Sequence, residues 1–243
     1  MELKICAMSD LHGQLPQIRQ EVDILCICGD IVPCKIQYNF DKSLEWLQTT
    51  FYNWIIESPV KNVVMIWGNH DFIGEKLYKD GVTNMSEYIF GENNNIHILV
   101  DKDIIIEGVC FYGTSWCPNL ANWAFYGTSL FLKEKFAKIP YNTQILLTHC
   151  PPMHGQQGIV LQPGWNYLKN FGCSELEDAI QKIFAVKSSN TIILSGHIHS
   201  GNHQIEVDGN NVYGNVSLLD EDYKMTYSPY YFTINKSRKI QHL

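Results

Sequence analysis

Five times along this chain a short apolar run stops at a small residue and gives way to aspartate, asparagine or histidine. KICAMS leads into Asp10-Leu11-His12-Gly13, and DILCICG leads into Asp30. KNVVMIWG leads into Asn69-His70-Asp71, QILLT into His149, and TIILSG into His197-Ile198-His199. Runs of this length, bounded by turn-forming residues, predict buried strands. In open α/β sheets ligands bind beyond the carboxyl ends of the strands. All five clusters fall at such ends.

Between the runs, apolar residues recur three and four apart. Leu44, Leu47, Phe51 and Trp54 give one helical face over 41–57, and Leu176, Ile180 and Phe184 give another over 173–186. A third helix is expected over 129–138. Strand, loop and helix alternate, which implies an α/β architecture. The segment 96–113 reads instead as two β-rich runs meeting near Asp101 to Asp103. The tail offers IEV, an Asp208-Gly209-Asn210 turn, NVYGNVSLL and a last run from Tyr230 to Ile234, a hairpin pattern. The predicted fold is therefore α/β (α+β mixed): two packed mixed β-sheets flanked by helices. No linker, low-complexity tract or repeat divides the 243 residues, so a single domain, 1–243, is expected. A chain of this length with 45% hydrophobic residues buries a core without disulfides or structural metal. Any metal is then expected to serve chemistry.

The formal charge is −7, and of 18 basic residues only Arg19 and Arg238 are arginines. That balance argues against an extended nucleic-acid partner, which needs clustered basic residues. A small phosphate ester stays open as substrate. Several of the eight cysteines sit inside apolar runs, as buried free thiols do. The chain lacks a secretory pattern and an apolar span of membrane length. The expectation is a reduced, cytoplasmic protein without a membrane partner; the sequence does not set its oligomeric state.

Residues i and i+2 of an extended segment point the same way, so Asp10 pairs with His12 and His197 with His199. With Asp30, Asn69 and His149 they make seven nitrogen and oxygen ligands. One zinc ion takes about four protein ligands at most, so seven suit two metals sharing a carboxylate. Two divalent cations against two aspartates leave a net positive site, which favours an anionic substrate. Two-metal sites with ions about 3.5–4 Å apart act on phosphate esters. Mixed imidazole and carboxylate ligands point to Mn, Fe, Zn, Co or Ni, manganese foremost, rather than Ca or Mg.

The ordered set D-x-H, G-D, G-N-H-D, T-H and G-H-x-H, residues 8 to 201, resembles the calcineurin-like metallophosphoesterases. The resemblance implies their four-layer sandwich and a division of ligands. Asp10, His12 and His199 would hold one metal; Asn69, His149 and His197 would hold the other, with Asp30 between them. A hydroxide bridging the metals would attack phosphorus in line. His70 matches the family's non-ligand histidine, which stabilises the transition state and protonates the leaving oxygen, and Asp71 would orient its imidazole. FYGTSWCPNLANWAF, IPYNTQILLTHCPPMHG and GC-x-EL resemble the metallophosphoesterase-domain-containing subgroup, whose members are associated with cyclic nucleotide hydrolysis. Some members replace one of the last two histidines and lose much of the metal site; here His197 and His199 are both present. The second motif departs from the family's protein phosphatases: GDIVPC has no arginine to clamp phosphate, which counts against a protein phosphatase.

Other candidates carry plainer readings. His97 and His242 read as structural. His154 and His203 lie beside the metal-bearing loops, as ordinary loop histidines or substrate contacts. Cys26-x-Cys28 has no second pair and reads as core, and Cys34 and Cys150 as neighbours of the ligands. Trp116, Trp123, Phe125 and Tyr126 form either core or a platform for a base. Trp116, Asn119 and His154 are the substrate-contact candidates, with Asn122 weaker. The expected activity is hydrolysis of a small phosphodiester; alternatives are a broad phosphomonoesterase and a catalytically weak scaffold.

Overall fold

The runs that precede the five polar clusters are strands in the computed structural model, which describes residues 2–92, 94–118, 120–161, 164, 166–184, 190–234 and 240–242. The first eight strands are β1 (Leu3–Met8), β2 (Val22–Cys28), β3 (Val60–Ile66), β4 (Ile96–Ile98), β5 (Lys102–Ile106), β6 (Val109–Thr114), β7 (Cys117–Pro118) and β8 (Tyr126–Gly127). The next eight are β9 (Ile145–Thr148), β10 (Ile159–Val160), β11 (Lys169–Asn170), β12 (Thr191–Ser195), β13 (Glu206–Asp208), β14 (Asn211–Asn215), β15 (Tyr230–Ile234) and β16 (Ile240–His242). Two six-stranded sheets result, in the orders β16-β15-β1-β2-β3-β4 and β13-β14-β12-β9-β6-β5. Their inner strands run parallel, and antiparallel strands close the edges at β15, β16, β5 and β13.

Side-chain alternation along each strand divides the core. Ile5, Ile24, Cys26, Val64 and Ile66 face Phe111, Ile145, Leu147, Ile192 and Leu194 of the other sheet, all buried. Their neighbours Cys6, Met8, Leu25, Ile27, Val63 and Met65 point outward under helices. Each fully buried aliphatic side chain contributes about 1.5–3 kcal/mol, which fixes the register of both sheets.

The stretch expected to be helical over 41–57 is α1 (Phe40–Trp46), a π-helical turn (Leu47–Phe51) and α2 (Tyr52–Glu57) in succession. The Asn39 side chain caps it by accepting from the Lys42 N–H at 3.0 Å. After the third strand come α3 (Phe72–Lys79) and α4 (Met85–Phe90), which sequence periodicity did not reveal because each shows only one buried pair four apart. On the second sheet lie α5 (Ser129–Phe136) and α6 (Ser174–Phe184), where Leu132, Phe136, Leu176 and Ile180 are buried. The side chain of Phe184 and residues 185–186 fall outside the described residues. The order of layers is helix, sheet, sheet, helix.

One expectation needs correcting. The two β-rich runs expected over 96–113 are three strands: β4 belongs to the first sheet, and β5 and β6 form a hairpin in the second, turning at Glu107 (φ 50°) and Gly108 (φ 78°). Two positive-φ residues make the tight hairpin turn, whereas Asp101 marks the crossing between sheets. The tail hairpin forms as expected, with β13 and β14 closing at Gly209-Asn210. Among the described residues no helix is long and apolar enough to cross a membrane.

Candidate metal centre

The loops after β1, β2, β3, β9 and β12 converge because their backbones stay hydrogen-bonded beyond the strands. Asp10 N–H donates to Gly29 O at 3.0 Å, His12 N–H to Asp30 O at 2.8 Å, and Gly196 N–H to His149 O at 2.9 Å. Asp10 (φ 56°), His12 (φ 42°), Asp30 (φ 53°) and His197 (φ 68°) all sit in the left-handed region. Each such residue costs about 1–3 kcal/mol and persists only where its surroundings hold it. Two glycines of the motifs are required by closeness: a Cβ on Gly68 would land on the Asp30 carboxylate, and one on Gly196 on that of Asp10.

Inside this frame Asp30 stands between two groups. Its Oδ2 lies 3.5 Å from His12 Nε2 and its Oδ1 lies 3.4 Å from His149 Nε2. Asp10 Oδ1 is 3.3 Å from His199 Nε2, and the Asn69 Oδ1 is 2.9 Å from His149 Nε2. The His197 ring packs 5.0 Å from that of His149, and its backbone N–H donates to the Asp10 carboxylate. Partners outside the cluster fix the rings. His149 Nδ1–H donates to Cys28 O at 2.8 Å and His199 Nδ1–H to Asp220 O at 3.0 Å. A carbonyl oxygen only accepts, so both rings carry their hydrogen at Nδ1 and turn Nε2 inward. His12 Nδ1 meets Cys34 Sγ at 3.2 Å in the same manner.

The charges follow from this crowding. Burial works against the Asp10 carboxylate, yet the His199 hydrogen bond and the charges of His149 and His199 bring it down to about 2. Burial likewise opposes the charge on Asp30, but His149, His12 and His70 hold it well below the usual carboxylate range. Burial works against protonation of His149 and His199; Asp30 lifts the first to about 10, and Asp10 lifts the second to about 9. Burial pushes His197 down to about 3 and also lowers His12.

Among the described residues, four sets of three ligand atoms lie within 4.8 Å of one another: Asp10-His12-His199, Asp10-Asp30-His149, Cys117-His149-His197 and His12-Cys34-His70. The first two are of imidazole and carboxylate, a donor set suited to divalent transition metals. His12 Nε2 is buried and makes no hydrogen bond. An orphaned buried nitrogen aimed at two carboxylates fits a cation.

His70 stands at the edge of this cluster, its Nε2 3.9 Å from Asp30 Oδ2 and its Nδ1 2.8 Å from the Gln37 Oε1. Burial lowers it to about 4. Asp71 does not orient it. The Asp71 carboxylate accepts from the backbone N–H groups of Ile31, Val32 and Gly68 at 2.8–3.2 Å and latches the second loop to the third. Its neighbour in sequence is not its neighbour in space. Burial and Asp30 raise Asp71 to about 7.

The substrate-contact candidates separate. Trp116 is buried away from the cluster, its indole N–H bonded to Asp101 and its ring under Lys135. The tryptophan at the site is Trp123, 4.2 Å from the His70 ring. Asn119 lies outside the described residues. His154 is engaged elsewhere, its ring nitrogens 3.3 Å from Glu177 and 3.4 Å from Asp208 and its ring stacked on Tyr213. His203 stacks on Tyr227 and bonds His199 O at 2.9 Å. Sequence reading missed Gln37 and Tyr223. Tyr223 (φ 58°) sets its ring 4.9 Å from His12 and 5.4 Å from His199. With Cys34, Lys35, Pro33 and His70 it lines a cavity of about 520 Å³.

The chain is similar to known proteins in sequence and in fold. The human metallophosphoesterase domain-containing protein 1 is 25% identical over 243 residues, spanning 93% of this chain and 69% of its own length. A UPF0046 protein of Caenorhabditis elegans is 26% identical over 242 residues, 96% of this chain and 76% of its own. In fold the chain is similar to the phosphopantetheinyl hydrolase of Mycobacterium tuberculosis (TM-score 0.55, 12% identity, 100% and 96% of the two chains). It is also similar to a dimetal phosphatase of Danio rerio (TM-score 0.52, 11% identity, 96% and 93%). The family model of the calcineurin-like phosphoesterases matches residues 3–201, a span that carries all five strand-end clusters. The chain belongs to the calcineurin-like phosphoesterase family.

Proposed function

We propose that this chain is a dinuclear metal phosphoesterase that hydrolyses a small phosphodiester, a cyclic nucleotide foremost. The observation that carries the reading is the pair of ligand groups on either side of Asp30, with His12 Nε2 left unbonded between carboxylates. Asp10, His12 and His199 would hold one ion, and Asn69, His149 and His197 the other, with Asp30 shared. Bound there, a pair of Mn, Fe, Zn, Co or Ni ions supplies acidified water and neutralises charge on both attacking and leaving oxygens; manganese is the first choice.

The protein's own residues do the rest. Gln37 accepts the His70 Nδ1–H and leaves Nε2 on the Asp30 side; the proton that the departing oxygen would receive is a second one, taken up from solvent at Nε2 against the effect of burial. Tyr223 and Trp123 flank the His rings and offer π-faces to a base. The adjoining cavity of about 520 Å³ is of a size that takes a small organic ligand. Phosphomonoester hydrolysis is the second reading, favoured by Lys35 at the cavity rim, since a monoester carries more negative charge. The inter-sheet core draws on residues from Leu3 to Ile234, which supports one domain. None of the eight cysteines is joined in a disulfide, in keeping with a reducing cytoplasm.

Turnover of bis-p-nitrophenyl phosphate against p-nitrophenyl phosphate, with 2′,3′- and 3′,5′-cyclic nucleotides alongside, tests the choice. The diester and at least one cyclic nucleotide are expected to be preferred. Preference for the monoester would move the assignment to phosphomonoesterase.

A further inference from the structure

The second ligand group carries a side chain that phosphoester hydrolysis does not require. Cys117 is fully buried, and its Sγ lies within 4.8 Å of ring nitrogens of both His149 and His197. Its backbone is fixed: the N–H donates to Phe125 O at 2.7 Å, and β7 pairs with β8 at Cys117 and Tyr126. The buried thiol of Cys150, the residue after His149, interacts with it electrostatically. Burial raises the Cys117 thiol above its usual range, so a cation beside it is what would stabilise the thiolate. Its remaining contact, to Ser115 O at 3.8 Å, is weak.

Cys34 makes a useful contrast. It meets His12 at Nδ1, the ring nitrogen turned away from the carboxylates, and so orients that ring from outside. Cys34 too lies within reach of two imidazoles, those of His12 and His70; Cys117 differs in that both of its imidazoles belong to one proposed ligand group. Zinc–sulfur bonds of about 2.3 Å and zinc–nitrogen bonds of about 2.0–2.1 Å put neighbouring tetrahedral ligand atoms about 3.6 Å apart. Small side-chain rotations from the observed spacing reach that.

We propose that Cys117 is a thiolate ligand of the ion held by His149, His197 and the shared Asp30, in the place given above to Asn69, so that four protein ligands make that position a soft-metal site suited to zinc. The inference rests on the dinuclear reading above. On binding, the S–H bond breaks, its proton passes to solvent, and the sulfur electron pair forms the bond to the cation, with no change in oxidation state. The two positions then differ in kind: one binds through nitrogen and oxygen alone, the other adds sulfur. The net charge of the centre falls by one.

X-ray absorption at the zinc edge of the zinc-loaded full chain, with metal content measured on the same sample, tests this. Expected is one sulfur neighbour at about 2.3 Å for every two zinc ions, kept in Cys34→Ser and lost in Cys117→Ser and Cys117→Ala. Two zinc ions per chain with only nitrogen and oxygen neighbours overturn the thiolate and leave the dinuclear reading standing. No bound zinc overturns both. A sulfur neighbour that survives in Cys117→Ser overturns the assignment to Cys117. Should the Cys117 variants fail to fold, cobalt-loaded Cys34→Ser decides: a sulfur-to-cobalt charge-transfer band supports the proposal, and its absence overturns it.

Discussion

Asp30 and Lys135 are both buried charges, and their surroundings differ in the way that separates chemistry from architecture. Lys135 donates to Asp101 at 2.8 Å and to the Tyr78 hydroxyl at 2.7 Å, and sits over the rings of Trp116, Tyr78 and Phe131. Asp101 in turn accepts from Thr114 and Trp116. Charge meets charge, and the carboxylate is held by three donors, so the cluster completes itself. Around Asp30 five imidazoles crowd two carboxylates, one buried nitrogen has no partner, and four residues hold strained backbone. Such an arrangement fits a cation from outside. The lesson is that burial of charge says little; what its partners leave unfinished says more.

Substitutions can break this contrast. The largest effect is expected from Asp30→Ala, which removes the shared carboxylate: both ions are lost and hydrolysis falls to background, read by metal analysis and turnover. His70→Ala should keep both ions while turnover drops about 10²–10⁴-fold; loss of metal there would make His70 a ligand. Lys135→Met should do the reverse of Asp30→Ala. It leaves Asp101 buried and unpaired, so chemical denaturation should show a loss of about 3–5 kcal/mol with metal content unchanged. The smallest effect is expected from Gln37→Ala, about tenfold in kcat at constant metal content, the lower end for partners outside the ligand shell.

The proposed ligands were legible in the sequence because each follows its own strand within a few residues, and strand ends converge by topology. His12, Asn69 and His199 needed no long-range information beyond that rule. Asp71 shows where it stops: adjacency to His70 suggested a partner, but the turn after β3 points its carboxylate at the backbone of another loop. Gln37 reaches His70 from a segment with no motif. Tyr223 is held by an Asp220 turn, whose carboxylate accepts from Asp222 N–H, Lys224 N–H and the Thr226 hydroxyl, and by Gln14 on its carbonyl. The turn chemistry was visible, its destination was not. Trp116 and Trp123 are seven residues apart, and only packing decides which reaches the site.

The central claim is that this cluster holds two divalent cations in place of protons. In the metal-free chain Asp30 and Asp10 keep His149 and His199 protonated up to about 10 and 9. Incoming cations displace those protons, so affinity is weakest in acid and strengthens as pH rises toward that range. Calorimetric titration of the full chain with manganese or zinc near neutral pH, repeated in buffers of different ionisation enthalpy, measures stoichiometry and proton release together. The account predicts two ions per chain with release of the His149 and His199 protons; a single ion, or two bound with no proton released, would contradict it.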